Sequence, residues 1–593
     1  MVSSKMIELR PNRELLDVNF GSYKLSLDSI PSYQHDFECG VDHVLPSDDQ
    51  YSFLHLKVFS LHNHLHGDPW SQEDVYFIDK RWRVQRNYVN PRTGRLEGVR
   101  QVWEIPASYP RHPGHYNPSL SFPDSETALL ADGTGVIHVI VTGFRTEHQD
   151  WEVAFSGEVL GCSQPFVIAD SRSVNNESSK RLELHCLLMW VEKVPESANE
   201  TDQSRSSNFQ SILAWVVLSE VEGGKWSVLR SCRLAGPGEF HYVALEADCS
   251  SLYVASEEVI KFTEDSERSI NPPKDIAEVE KGKSNGKKHY MWLQGLEDIE
   301  ISFNVGVGID KNEVVVDVKD KSLSVSCQGQ TLLQGGLWGF TEPSLSCWSL
   351  ENNRLQITLS KAESGLMWQS LVPGDCRGEE VVDPALVDEI HEKLAHLCSD
   401  KEVTDTTHTP TFNSEQLEEC DTGQTNSVLM RLDPISHEVS HQASLGGHQA
   451  LFLTCMNGSE SPALCLRHDV DGCVWQPQPQ NLDTSEWPIV HVGTFHAFGY
   501  VQASKQQRKF TVCAPDLSYV AICDANRHVY VYRQPTNEQG ALRNRRTGQK
   551  VSHTAQQQLV ALSDNAEIMG AHASNHTLFV LTTNYILALN VNP

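Results

Sequence analysis

No two of the 15 cysteines stand in a C-x-x-C pair, the spacing that closed zinc sites and dithiol redox chemistry favour. No stretch reads G-x-x-x-x-G-K-[ST], so the backbone cradle for a nucleotide phosphate is missing. G-x-S-x-G occurs once, at Gly282-Lys283-Ser284-Asn285-Gly286, but in a charged polar stretch with no apolar strand pattern before it, so it does not read as a hydrolase elbow. Long apolar runs are absent. The strongest, ILAWVVL from Ile212 to Leu218, falls far short of the roughly 20 residues that cross a bilayer. The opening MVSSKMIELRPNRELL has no apolar core, so no secretory leader is expected. The cysteines are therefore expected as reduced thiols in a cytoplasmic and nuclear protein. Basic residues are in deficit: 48 Lys and Arg against 78 Asp and Glu leave a formal charge of −30. Such a chain repels nucleic acid and anionic lipid at long range. Neither direct nucleic-acid binding nor membrane association is expected, and a basic protein surface is the favoured kind of partner.

What is present is β-patterned. From Tyr290 to Asp375 the apolar residues alternate: Ile299, Ile301, Phe303 and Val305; Leu323, Val325 and Cys327; Leu355, Ile357 and Leu359. Period-two runs broken by GIDKNE and LENNR predict short strands joined by turns. Roughly seven such strands make a compact antiparallel sandwich. Tyr290-x-Trp292-x-Gln294 opens this stretch, Trp348 precedes Leu359 and Lys361, and Gly365-x-x-Trp368-x-x-Leu371 closes it. In kind and order these residues resemble the CS domain of the NudC family, the nuclear-distribution co-chaperones. The chain departs from that pattern at TEPSLSC, which is less acidic, and at Met367-Trp368, where paired tryptophans are common. The resemblance implies a non-enzymatic co-chaperone without cofactor or metal. It further implies that the domain holds client proteins, often alongside the heat-shock chaperone of the ninety-kilodalton class. Tyr290, Trp292, Gln294, Trp348, Leu359, Lys361, Gly365, Trp368 and Leu371 are its hallmark and candidate client-binding positions. A sandwich this small needs large apolar side chains inside, so Trp292, Trp338, Trp348 and Trp368 read first as core, with one or two at the rim as binding anchors.

At 593 residues the chain is expected to form about two to four domains. Both arms beside the CS stretch are strand-rich. TALLADGTGVIHVI, SLYVASEEVIKF, SYVAICDANRHVYVYR and TLFVLTTNYILALN each read as a strand, a polar turn and a second strand, as in the middle of a propeller blade. The resemblance extends to family members whose long arms are propeller-like. The expected fold is all-β: a CS sandwich inserted between the blades of a split propeller of roughly seven blades. The layout is propeller at 1–262, a charged linker at 263–288, the CS domain at 289–375, a helix and linker at 376–428, and propeller again at 429–593. The helix is expected in PALVDEIHEKLAHLC, where Leu386, Val387, Ile390, Leu394 and Leu397 share a face.

Several motifs suggest chemistry and weaken on inspection. His391 and His396 sit five apart, so on a helix their rings diverge by roughly 140° and cannot share a zinc ion. His62, His64 and His66 would share one face of a strand, where structural histidines are the plainer reading. Arg467-His468-Asp469-Val470-Asp471-Gly472 looks like the start of a calcium loop, but QPQ stands where the distal Glu belongs; a propeller turn carrying a His–Asp hydrogen bond is expected. Lys80-Arg81-Trp82-Arg83 and Arg508-Lys509 read as solvated basic runs. Arg543, Arg545 and Arg546 could serve as a nuclear-import patch. The functional expectation is a client-binding co-chaperone or adaptor. The alternative is a stoichiometric scaffold whose acidic propeller binds one basic partner, such as an RNA-handling remodelling enzyme.

Overall fold

The computed structural model describes the chain except residues 1–5, 18–19, 91, 107–110, 146–149, 162–163, 177–180, 195–207, 222–224, 271–289, 296, 306–310, 329, 352–353, 363–367, 369, 373–377, 381–426, 447, 480–486, 538–542, 544–547, 549–552, 563–565 and 593. It divides into two units. One joins Met1–Ile270 to Phe412–Pro593, and the other spans Asn271–Thr411.

The first unit is a β-propeller. Among the described residues it holds seven sheets of four or five strands, and the hairpin-connected strands of each are consecutive in the chain. Blade 1 runs His66–Asp68, Ser71–Ile78, Arg83–Val89 and Leu96–Glu104. Blade 2 runs Ser119–Ser121, Thr127–Ala131, Val136–Val141 and Glu152–Glu158. Blade 3 runs Val167–Asn176, Arg181–Lys193, Phe209–Val221 and Lys225–Gly236. Blade 5 runs Ala450–Thr454, Ala463–His468, Asp471–Pro477 and Ile489–Phe495. Blade 6 runs Arg508–Cys513, Tyr519–Asp524, His528–Asn537 and His553–Ala561. Blade 7 takes Ile568–Ala573, Thr577–Thr582 and Tyr585–Asn590 from the end of the chain and Ser32–Asp36 from its beginning. That last pairing covers an edge which would otherwise be open. At the seam, the His64 amide donates to the Met569 carbonyl (3.1 Å), so blade 1 meets blade 7 and the ring closes.

Blade 4 is shared by the two arms. Phe240–Leu245 and Leu252–Ser256 come before the second unit, and Val428–Asp433 and Glu438–Ser444 come after it. Leu252–Ser256 pairs antiparallel with Val428–Asp433, from Leu252 against Leu432 to Ser256 against Val428. The insertion therefore splits the middle hairpin of a blade instead of falling between blades. A surface hairpin loop tolerates this because closing a longer loop adds only slowly to the entropic cost. It also corrects the reading of SLYVASEEVIKF as a hairpin. Lys261–Asp265 pairs instead with the outer strand of blade 3, so the expected linker at 263 begins inside a strand. The other three repeat segments do form the middle hairpins of blades 2, 6 and 7. Two N-terminal strands add in parallel to outer edges, Met6–Glu8 on blade 4 and Tyr23–Leu25 on blade 6. A helix that the apolar pattern did not announce, α1 (Phe53–Ser60), precedes blade 1.

The second unit is a sandwich. One sheet has the order Cys347–Glu351, Arg354–Ser360, Asp298–Asn304, Tyr290–Gln294 and Gly378–Glu380. The other is formed by Val314–Lys319, Ser322–Cys327 and Gln330–Gly336. The inward residues of the expected alternation, Ile299, Ile301, Phe303, Leu323, Val325, Leu355, Ile357 and Leu359, are almost completely buried in one core. The helix expected from Pro384 lies outside the described residues.

Candidate protein-interaction surfaces

Most hallmark positions of the sandwich build its interior. Tyr290, Trp292, Leu359, Trp368 and Leu371 belong to the shared core. Gln294 is buried and acts as a piece of backbone: its Oε1 accepts from the Trp368 amide (2.8 Å) and its Nε2 donates to the Trp368 carbonyl (2.9 Å). Lys361 is buried beside it and donates to the Gly295 carbonyl (2.9 Å) and to Gln294 Oε1 (3.3 Å). These contacts satisfy polar groups that would be expensive to bury alone. Gly339 makes room for the indole, since a Cβ there would come within 2.7 Å of Trp368. Gly365 lies outside the described residues.

Trp348 stands apart. It pairs across the sheet with Ile357, which pairs with Ile301, which pairs with Trp292. Paired residues point to the same face, so Trp348 ends a row of core side chains. It sits on the edge strand, however, and is 36% exposed, whereas Ile357 and Ile301 are fully buried. Leu345 (69% exposed) and Phe340 (54%) precede it in the same connection, and Lys321 Nζ lies 4.7 Å from the centre of the Phe340 ring. The cross-strand row fixes the side of the strand that Trp348 occupies. Only the strand order shows that this side runs out into solvent.

The motifs of the propeller lie in and beside its blade strands. His62 and His64 lie before the first strand of blade 1 and only His66 is in it, so the three do not share one strand face. Their rings meet edge-on, 4.6 Å apart for His62 and His64 and 6.2 Å for His62 and His66. Burial pushes His62 down to about 4 and His66 to about 3, and His62 Nε2 lies 3.1 Å from the Pro118 carbonyl. Among the described residues, no group of three or more His, Cys, Asp or Glu is placed to hold a metal ion. Asp469 and Val470 form the turn of a blade 5 hairpin, with Asp469 at φ 54°. Asp471 accepts from the Ala497 amide (2.6 Å); His496, from outside the motif, stands 3.9 Å away, too far for the His–Asp hydrogen bond expected in this turn. Arg83 pairs with Asp79 (2.7 Å) and Lys509 with Glu567 (2.9 Å), which ties both basic runs to acids. Arg543 is exposed and donates to the Gly548 carbonyl (3.0 Å). Arg545, Arg546, His391 and His396 lie outside the described residues. No helix among the described residues is long and apolar enough to cross a membrane.

The sandwich matches the family model of the CS domain over residues 288–361. NudC domain-containing protein 1 of Mus musculus is 34% identical over 591 residues, 98% of each chain. The Xenopus tropicalis protein of that name is 34% identical over 598 residues, again 98% of each. The Drosophila melanogaster nuclear migration protein nudC is 35% identical over 92 residues, 15% of this chain and 28% of its own. With likeness at that level running nearly end to end, the chain belongs to the NudC family, in company with the NudC domain-containing protein 1 sequences.

Proposed function

We propose that the chain is a non-enzymatic NudC-type co-chaperone or adaptor that holds client proteins through its CS domain and its propeller. The observation that carries this reading is the exposure of Trp348, Leu345 and Phe340 on a CS sandwich whose other described hallmark side chains are buried within it. An aromatic anchor at a sheet edge is a common centre of binding energy. Holding a client needs no nucleotide. Binding one state shifts its equilibrium by mass action, worth about 2.7 kcal/mol when the binder is at a hundred times its Kd. The ninety-kilodalton heat-shock chaperone fits as a co-worker through the family resemblance, in the cytoplasm and nucleus.

The test is light scattering from a heat-labile client such as luciferase, warmed with the full chain at equal concentration and without nucleotide. Aggregation should fall, and Trp348→Ser with Leu345→Ser should restore most of it. Unchanged scattering in the presence of the wild-type chain would overturn the reading. The formal charge of −30 favours a second reading, a scaffold for one basic partner such as an RNA-handling remodelling enzyme. In that case crosslinking mass spectrometry should return one stoichiometric partner that survives removal of residues 271–411.

A further inference from the structure

Helix α1 buries one face, and on the other face two large apolar side chains, Phe53 and Leu56, stand exposed beside Lys57, whose Nζ lies 5.1 Å from the centre of the Phe53 ring. Ser52 starts it, its Oγ accepting from the His55 amide (3.3 Å). Leu54, His55 and Phe59 turn inward and are buried. Leu54 packs with Val191 and Phe209 of blade 3, and Phe59 meets Tyr116 just before blade 2 at 5.2 Å between ring centres. On the other side Phe53 is 65% exposed and Leu56 54%. Tyr51, just ahead of the helix and 69% exposed, lies beside Phe209 (5.2 Å between rings), and Leu61 at the end of the helix is 45% exposed. Single exposed leucines need no explanation. Phe53 and Leu56, three apart on one helix face, are neighbours on the surface and form a short ridge, and grouped exposed apolar side chains mark an interaction site.

The charge around the ridge selects the occupant. Lys57 on α1 is held by Glu239, and Arg233 by Glu192. From Lys57 a polar track continues through Glu239 to His241 (3.8 Å) and from His241 to Glu257 (3.9 Å) at the entry to the split hairpin of blade 4. Glu257 and Glu258 are exposed there, and Asp48 and Asp49 are exposed just ahead of α1, four acids against the exposed bases Lys193 and Lys261. We propose that α1 anchors a docking site on the propeller for a cationic amphipathic segment of a partner protein. Apolar side chains of that segment cover Phe53 and Leu56, and its lysines and arginines face Asp48, Asp49, Glu257 and Glu258. Such pairing steers association and fixes register more than it adds affinity, while the ridge supplies the desolvated centre. The proposal rests on the adaptor reading only for there being a protein partner.

The experiment is fluorescence anisotropy of the full chain with two labelled model helices, one of leucine and lysine and one of leucine and glutamate with the same apolar stripe. The basic helix should bind saturably at one site. Phe53→Ser with Leu56→Ser should weaken it about tenfold, and Asp48→Asn with Asp49→Asn should weaken it more at low salt than at high salt. Leu56→Lys, a single exposed change, gives the same direction should the double variant unfold, which thermal melting reports. Equal binding by the ridge variants, equal binding of the acidic helix, or a wild-type dimer abolished by Phe53→Ser with Leu56→Ser would each overturn the proposal; the last would make a second copy of the chain the occupant. Trp348→Ser should leave peptide binding unchanged, so a failure of client holding at the sandwich and a failure at α1 are read separately.

Discussion

Glu246 and Arg431, 185 residues apart in the chain, form a buried ion pair in blade 4: Arg431 Nη2 donates to Glu246 Oε2 (2.6 Å) and Nε to Oε1 (3.3 Å). Tyr253 donates to Oε1 (2.7 Å) and Ser250 to Oε2 (2.8 Å). Glu246 comes from the first arm and Arg431 from the second, so this contact ties the blade that the insertion divides. Arg431→Met should destabilise the propeller by about 3–5 kcal/mol, because it leaves the carboxylate buried without its cation. Adding Glu246→Gln should recover part of that loss. Urea unfolding of both variants checks this; equal stability of wild type and Arg431→Met would refute it.

Each arm expressed alone should fail to fold. Residues 1–256 lack the last two strands of blade 4 and the partners of Ser32–Asp36. Residues 428–593 lack the inner strands of blade 4. Open edges and uncovered blade faces favour aggregation. Co-expression should give a soluble pair, and a cooperative melt with full strand content from either arm alone would contradict the shared blade.

Acid should loosen the propeller in two stages. Burial lowers His62 to about 4, His66 to about 3 and His572 to about 4, against about 6.5 in an unfolded chain. Between those values the unfolded state binds more protons, so stability rises with pH. It is fully present above about pH 6.5 and is lost as pH falls toward 4. Burial works to raise the Glu246 carboxyl, but the hydrogen bonds from Arg431 and Tyr253 outweigh it and hold it below its usual range. Its contribution is present above the ordinary carboxylate pKa and lost as pH falls through the lowered one. Tm measured from pH 8 to 4.5 should be flat to about 6.5 and then fall; a level curve down to pH 5 would contradict the buried histidines.

The two sandwich tryptophans should separate. Trp368, 2% exposed, closes the core, and Trp368→Ala should cost about 3–5 kcal/mol. Trp348→Ala, at the rim, should cost about 1 kcal/mol or less while reducing client holding. Denaturation followed by the near-ultraviolet signal of the sandwich distinguishes them.

Alternation along 290–360 was enough to place Ile299, Ile301, Ile357 and Leu359 inside a sandwich, because side-chain direction in a strand depends only on parity. The hairpins of blades 2, 6 and 7 were legible for the same reason, each being complete within a short segment. Position among strands is a different kind of information. It made Trp348 an edge residue, gave Leu252–Ser256 its partner in Val428–Asp433, and sent Lys261–Asp265 to blade 3, since long-range pairing is chosen by which edges remain uncovered. Gln294 and Lys361 were legible as hallmark residues but not as stand-ins for backbone, which required Trp368 to arrive beside them. The exposure of Phe53 and Leu56 was equally hidden: FLHLKVFS carries apolar residues on both sides of its helix, and only the packing of α1 on blade 3 decided which side was left to solvent.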